Sequence, residues 1–129
     1  MSLFQEPGQI GSVPFPSGKT KMIVQTWGAG GGGSSSMGGG GGGHVREVIT
    51  IGFNSPWPAA TSAFWECGVD GVNGGPGTPT RAGINGVGDM IRSEGSNGGN
   101  NGGNGGGGWS LSGNALIHTG GNGAANGGG

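Results

Sequence analysis

Glycine decides what this chain can fold into. It supplies 39 of 129 residues, about four times the usual ~7 % share. Much of it comes in blocks, at Gly30–Gly33, Gly38–Gly43 and Gly105–Gly108. Chains of this kind often stay disordered, because they have little apolar surface to bury. Ordering glycine is costly: at roughly 0.5–1 kcal/mol each relative to alanine, the whole set costs on the order of 20–40 kcal/mol. An ordered chain must offset that by dense backbone hydrogen bonding, close backbone packing, or burial against other chains. The expectation is an extended, hydrogen-bonded glycine framework that depends on assembly.

The remaining composition narrows the field. Apolar residues make up 29 %, against ~45–50 % by a count that includes glycine. A conventional core is therefore small, and the length allows one domain. Five basic and six acidic residues give a net charge of −1. With no basic stripe, nucleic-acid binding lacks electrostatic support. Cys67 is the single cysteine, so no internal disulfide forms. Met1–Pro7 has neither a positive region nor an apolar run, unlike a signal peptide. No stretch approaches the ~18 apolar residues of a membrane span.

Along the chain, residues 1–18 carry Pro7, Pro14 and Pro16 and read as an extended N-terminal arm. Residues 19–129 read as a single glycine-rich domain. Strand formers concentrate at about 21–27, 45–53 and 62–67. The imperfect alternation of Lys21–Trp27 suits a strand covered on both faces. Two strands joined by a long glycine excursion predict a β-pair with an extended glycine lobe. No apolar pattern of helical period exists, so no long helix is expected.

From Cys67 onward a second rhythm appears. Gly68, Gly71, Gly74, Gly77, Gly83 and Gly86 fall on one three-residue phase, broken only at Thr80. Three residues per turn is the period of the polyproline-II helix, whose N–H and C=O groups point outward. When glycine lines an edge, neighbouring segments can approach and bond across, as a polyglycine-II bundle. A short, interrupted, proline-poor run argues against collagen. Asn73, Asn85, Asn97, Asn100, Asn101, Asn104, Asn114, Asn122 and Asn126 suit turns between such segments.

Catalytic and cofactor patterns are missing. Gly28–Gly33 matches a dinucleotide fingerprint formally, but no helix follows to hold a pyrophosphate. Gly18-Lys19-Thr20 resembles the end of a phosphate loop, yet Val13 stands where its first glycine belongs. His44, His118 and Cys67 lack zinc-ligand spacing, and the carboxylates are scattered. No catalytic, cofactor or metal residues are assigned, and the chain is expected not to be an enzyme. Trp27, Trp57, Trp65 and Trp109 are the large packing residues; they can form a small core under the glycine lobe, or stand exposed as anchors for a partner.

The strand Ile23-Val24-Gln25-Thr26-Trp27 followed by Gly28-Ala29-Gly30-Gly31-Gly32-Gly33, then Gly38–Gly43, then the strand Val45–Ile51, resembles the glycine-rich domain of bacteriophage tail-fibre and related virion proteins. Gly68–Gly88 and Gly95–Gly108 look like that domain's last, glycine-rich part, and Pro16–Thr20 looks like its lead-in turn. The likeness spans roughly residues 13–108; Asn54–Thr61, with Pro56 and Pro58, departs from the usual connection. It implies a non-enzymatic virion structural protein, in a tail appendage or as an adhesion component, with binding loops at the lobe tips. The implied partners are further copies of the chain (a homo-oligomer, a trimer among the options), other virion proteins and a host surface receptor. A capsid decoration protein is the alternative, and an ice-binding polyglycine-II bundle a further one.

Overall fold

The computed structural model describes residues 5–14, 21–50, 62–85 and 88–125. Among these residues eight strands form two antiparallel sheets, so the fold is mainly β. One sheet has the order β1-β4-β5-β6-β7, from Ile10–Pro14, Ser62–Glu66, Thr80–Ile84, Gly88–Ser93 and Gly108–Ser110. The other has the order β2-β3-β8, from Lys21–Trp27, His44–Thr50 and Leu116–His118. Among the described residues the one helical element is a 3-10 turn at Gly99–Asn101.

The two sheets pack face to face, β2 and β3 lying against β5, β6 and β7. Their core is aliphatic: Val45, Ala82, Ile84, Met90 and Ile91 are buried, with Met22, Val24 and Ala115 against them. Strand β2 follows from simple alternation. Met22, Val24 and Thr26 turn inward, while Ile23, Gln25 and Trp27 turn out. It is thus covered on one face, not on both. In β6 two adjacent residues, Met90 and Ile91, are both buried. A register shift allows this: Ala82 pairs with Ile91 and Gly83 with Asp89, leaving Met90 as the extra residue of a bulge.

Strand β2 matches its expected span of 21–27. β3 begins at His44 and reaches Thr50, with 51–53 outside the described residues, and β4 ends at Glu66. Within the expected N-terminal arm, Ile10–Pro14 is an edge strand paired with β4 of its own chain. Glycine suits position 11, because a Cβ there would come within 2.4 Å of the Trp65 ring.

Beyond the sandwich the strands do not stop; they run on as glycine-rich segments, named s1 (28–33), s2 (38–43), s3 (68–72), s4 (75–79), s5 (94–99), s6 (103–107) and s7 (120–124). Segments s1, s2 and s7 extend β2, β3 and β8. Segments s3, s4, s5 and s6 extend β4, β5, β6 and β7. The hydrogen-bonding rhythm changes at the boundary. Trp27 pairs with His44 in the sheet; then Gly28 donates to Gly43, Gly31 to Gly40 and Ser34 to Met37. Register is kept, but the bonds now come every third residue. The same stride joins s1 to s4 (Ala29 to Thr78, Gly32 to Gly75), s2 to s5 (Gly40 to Asn97, Gly43 to Glu94), s5 to s6 (Glu94 to Gly107, Asn97 to Asn104) and s6 to s7 (Gly120 to Gly106, Gly123 to Gly103).

These bonds define a two-layer packing. Segments s3, s1, s2 and s7 form one row, linked by Gly71 to Gly30, Gly31 to Gly40 and Gly41 to Gly121. Segment s4 bonds to both s3 and s1, s5 to s1 and s2, and s6 to s2 and s7. Backbones from the two different sheets therefore bond to each other directly. In the sandwich, packed sheets sit ~10 Å apart, because side chains fill the gap. The gap closes in steps. After Val45 and Ile91 comes a hydroxyl pair, Thr26 Oγ1 and Ser93 Oγ at 2.6 Å, and beyond it Gly28 lies directly on the Glu94 backbone.

The phase read in the sequence is divided among elements. Gly68 and Gly71 lie on s3 against the s4 backbone, and Gly77 lies on s4 against s1. Gly74 lies in the turn between them. Asn73 and Gly74 have φ of 51° and 77°, and Gly75 N–H closes on Val72 O at 2.9 Å, the pattern of a type I′ turn. Gly83 belongs to β5, and Gly86 lies outside the described residues.

Candidate functional site

Three turns meet at the end of the molecule farthest from the sandwich: Ser34–Met37 between s1 and s2, Asn73-Gly74 between s3 and s4, and residues 99–103 between s5 and s6. They touch one another. Gly99 packs on Met37 and Ser34, Asn100 N–H donates to Gly74 O, and Asn100 Nδ2 donates to Asn73 O at 3.2 Å. Met37 also bridges to Ala125. This tip presents hydroxyl, amide and thioether groups on a backbone braced from behind, an arrangement suited to recognising a surface by hydrogen bonds.

The outer face of β2-β3-β8 is a second candidate. Trp27, His44 and His118 are opposite one another across the three strands. Their rings form a row: Trp27 to His44 at 4.9 Å between centroids and His44 to His118 at 5.6 Å, tilted by 25° and 11°. Gln25, Arg46 and Leu116 make the next row, Ile23 and Val48 the one after. Ile23, Trp27, Val48 and Leu116 are exposed. His44 Nε2 lies 3.3 Å from Gln25 Oε1. Burial first, then the charges of His118 and Arg46, hold the His44 pKa below the ordinary imidazole value.

The outer face of the five-stranded sheet carries Ile10, Glu66, Arg81, Arg92 and Trp109 in one transverse row. Arg81 bridges Glu66 and Asp89, with Nε donating to Glu66 Oε2 at 2.7 Å. That hydrogen bond, then the charge of Asp89, raises its pKa. Arg92 Nε sits 2.9 Å from Glu94 Oε1, an ion pair off the N–H axis that leaves the N–H without an aligned acceptor. A depression of ≈ 370 Å³ opens between Ile10, Cys67, Val69, Pro79, Arg81 and Arg92. Burial raises the Cys67 pKa.

The described tryptophans do not build the core. Trp27 and Trp109 are 57 % and 42 % exposed. Trp65 packs over Gly11 with its Nε1 buried and unpaired, and Trp57 lies outside the described residues. The imidazole pair escaped the sequence reading, because its two members are far apart in the chain and meet only through the β3–β8 register. Among the described residues no group of three or more His, Cys, Asp or Glu side chains could hold a metal ion, and no helix is long and apolar enough to cross a membrane.

Together these features define a two-sheet antiparallel β-sandwich whose strands continue into a hydrogen-bonded glycine bundle with a polar tip. Comparison with known protein families, with curated proteins and with solved structures finds no match.

Proposed function

We propose that the chain is a non-enzymatic structural protein of a bacteriophage virion, in a tail appendage or fibre or as an adhesion component. Its glycine segments act as polyglycine-II rods. Support for the rods comes from the three-residue bonding stride and from Gly98, whose φ and ψ of −76° and 167° lie near the polyproline-II values of roughly −75° and +145°. Support for the virion role comes from the likeness of Ile23–Gly33, Gly38–Gly43 and Val45–Ile51 to phage glycine-rich domains. The observation that carries the reading is the shared tip: the bundle holds three turns together at a fixed distance from the sandwich. Such a design suits contact with a host surface receptor, while the sandwich contacts further copies of the chain and other virion proteins.

Gold-labelled antibodies against the purified chain, applied to particles of the phage encoding it, test this. Label at the tail end is expected. Label spread over the shell would move the protein to capsid decoration, and particles that bind no label would overturn the virion reading.

A further inference from the structure

Most of the polar clusters are already committed within the chain. Arg81 and Arg92 each face carboxylates, so the depression between them has no spare positive charge for an anion. Glu47 is 3 % exposed and accepts hydrogen bonds from Ser110 and Ser112; it is enclosed between the sheets and no substrate reaches it. The imidazole pair differs. It faces solvent, it lies on two hydrogen-bonded strands, and among the described residues the charged groups acting on His44 are His118 and Arg46, not a carboxylate.

We propose that His44 and His118 form a two-point chelate for a late first-row divalent metal ion, copper(II) before nickel(II). Geometry is the first support. Two imidazoles sharing one metal at N–metal distances of ~2.0–2.1 Å have centroids about 4.5–5.5 Å apart, and here the centroids are 5.6 Å apart, just beyond that range. The rings are stacked at 11°, so binding needs them to turn edge-on. His118 is exposed and His44 half-buried, so both rings reach solvent.

Second, an outer partner is in place. A neutral His44 that donates Nε2–H to Gln25 Oε1 at 3.3 Å keeps the lone pair on Nδ1. Metal-bound imidazoles are commonly oriented by such an acceptor on their other nitrogen. Third, the backbone is pre-set: His44 and His118 are direct register partners, and directly opposite residues on antiparallel strands hold their Cβ atoms ≈ 4.5–5.5 Å apart. With two nitrogen ligands and the other positions left to water, the site does not meet the four-ligand pattern of structural zinc. Affinity order then follows the divalent series, which peaks at copper.

The test uses the full chain without an affinity tag, titrated with copper(II) chloride by calorimetry and followed by tryptophan fluorescence. One ion per chain is expected. His44→Gln and His118→Gln should each weaken binding by about tenfold or more, because each removes one arm of a chelate. Trp27 stacks on His44 at 4.9 Å, so Trp27→Phe should keep the affinity and lose most of the quenching. The proposal is overturned if either histidine variant stays within about threefold of the parent affinity. Quenching that persists undiminished in Trp27→Phe would also overturn it, and that arm needs no histidine variant to fold.

Discussion

The sandwich and the glycine bundle are built from the same strands, yet they exclude water by opposite means. In the sandwich, side chains hold the sheets apart and fill the space; Val45, Met90 and Ile91 are fully buried there. In the bundle glycine backbones lie directly against one another. Gly43 lies on the Gly107 carbonyl, Gly31 on Asn97 and Gly106 on Glu94, all closer than the 3.0 Å that a real Cβ requires. One region is stabilised by apolar area removed from water. The other relies on backbone hydrogen bonds, worth about 0.5–1.5 kcal/mol each in net terms, a size comparable to the conformational cost of one glycine. The bundle is therefore held by many small, mutually dependent bonds that close within a single chain.

The comparison is sharpest where deleting atoms destabilises one region and adding atoms destabilises the other. Ile91→Ala removes a fully buried side chain from the centre of the sandwich. Its expected cost is about 2–5 kcal/mol, measured as a lower urea midpoint. A loss well under 1 kcal/mol would mean that the sandwich is not the apolar anchor of the fold.

In the bundle the informative pair is adjacent in sequence. A Cβ on Gly106 would meet the carbonyls of Glu94 and Gly95, whereas one on Gly107 would meet nothing within 4 Å. Gly106→Ala should cost about 1–3 kcal/mol, as overpacking does. Gly107→Ala should stay within about 0.5 kcal/mol, as at an open surface site. Equal effects at the two positions would contradict the two-layer packing of s5, s6 and s2.

That pair also shows how far the sequence could be read. Strand β2 was legible from Lys21–Trp27 alone, because strand formers cluster there and the glycine blocks bound it. So was the pairing of β2 with β3 across a glycine lobe. Strands β5 to β8 were not, since Thr80–Ile84 contains Gly83, and Gly108–Ser110 and Leu116–His118 are three residues long. Such short segments become strands only by pairing, which no local pattern encodes. The three-residue phase was visible, but not the partner of each glycine: Gly71 and Gly77 share a phase although the Asn73-Gly74 turn places them on different segments. The outward tip was legible through the asparagines and the glycine lobe between β2 and β3, and His44 beside His118 not at all.

A smaller effect than at Ile91 or Gly106 is expected just inside the bundle. Ser96 is 1 % exposed and places its hydroxyl inside the bundle. It accepts Gly31 N–H at 2.6 Å and donates to Gly40 O. Gly31 N–H also reaches Gly40 O directly at 3.0 Å, so the donor and acceptor that Ser96 bridges remain partners of each other without it. Ser96→Ala should therefore cost only about 0.5–1.5 kcal/mol, the net value of a satisfied hydrogen bond and not that of an orphaned one. Amide exchange at Gly31 distinguishes the two cases. If its protection falls no further than that of the other s1 amides, backbone bonds alone hold s1 to s2. A selective collapse of protection at Gly31 would mean instead that the serine hydroxyl is the tie, and that the bundle still depends on side chains at its base, as the sandwich does throughout.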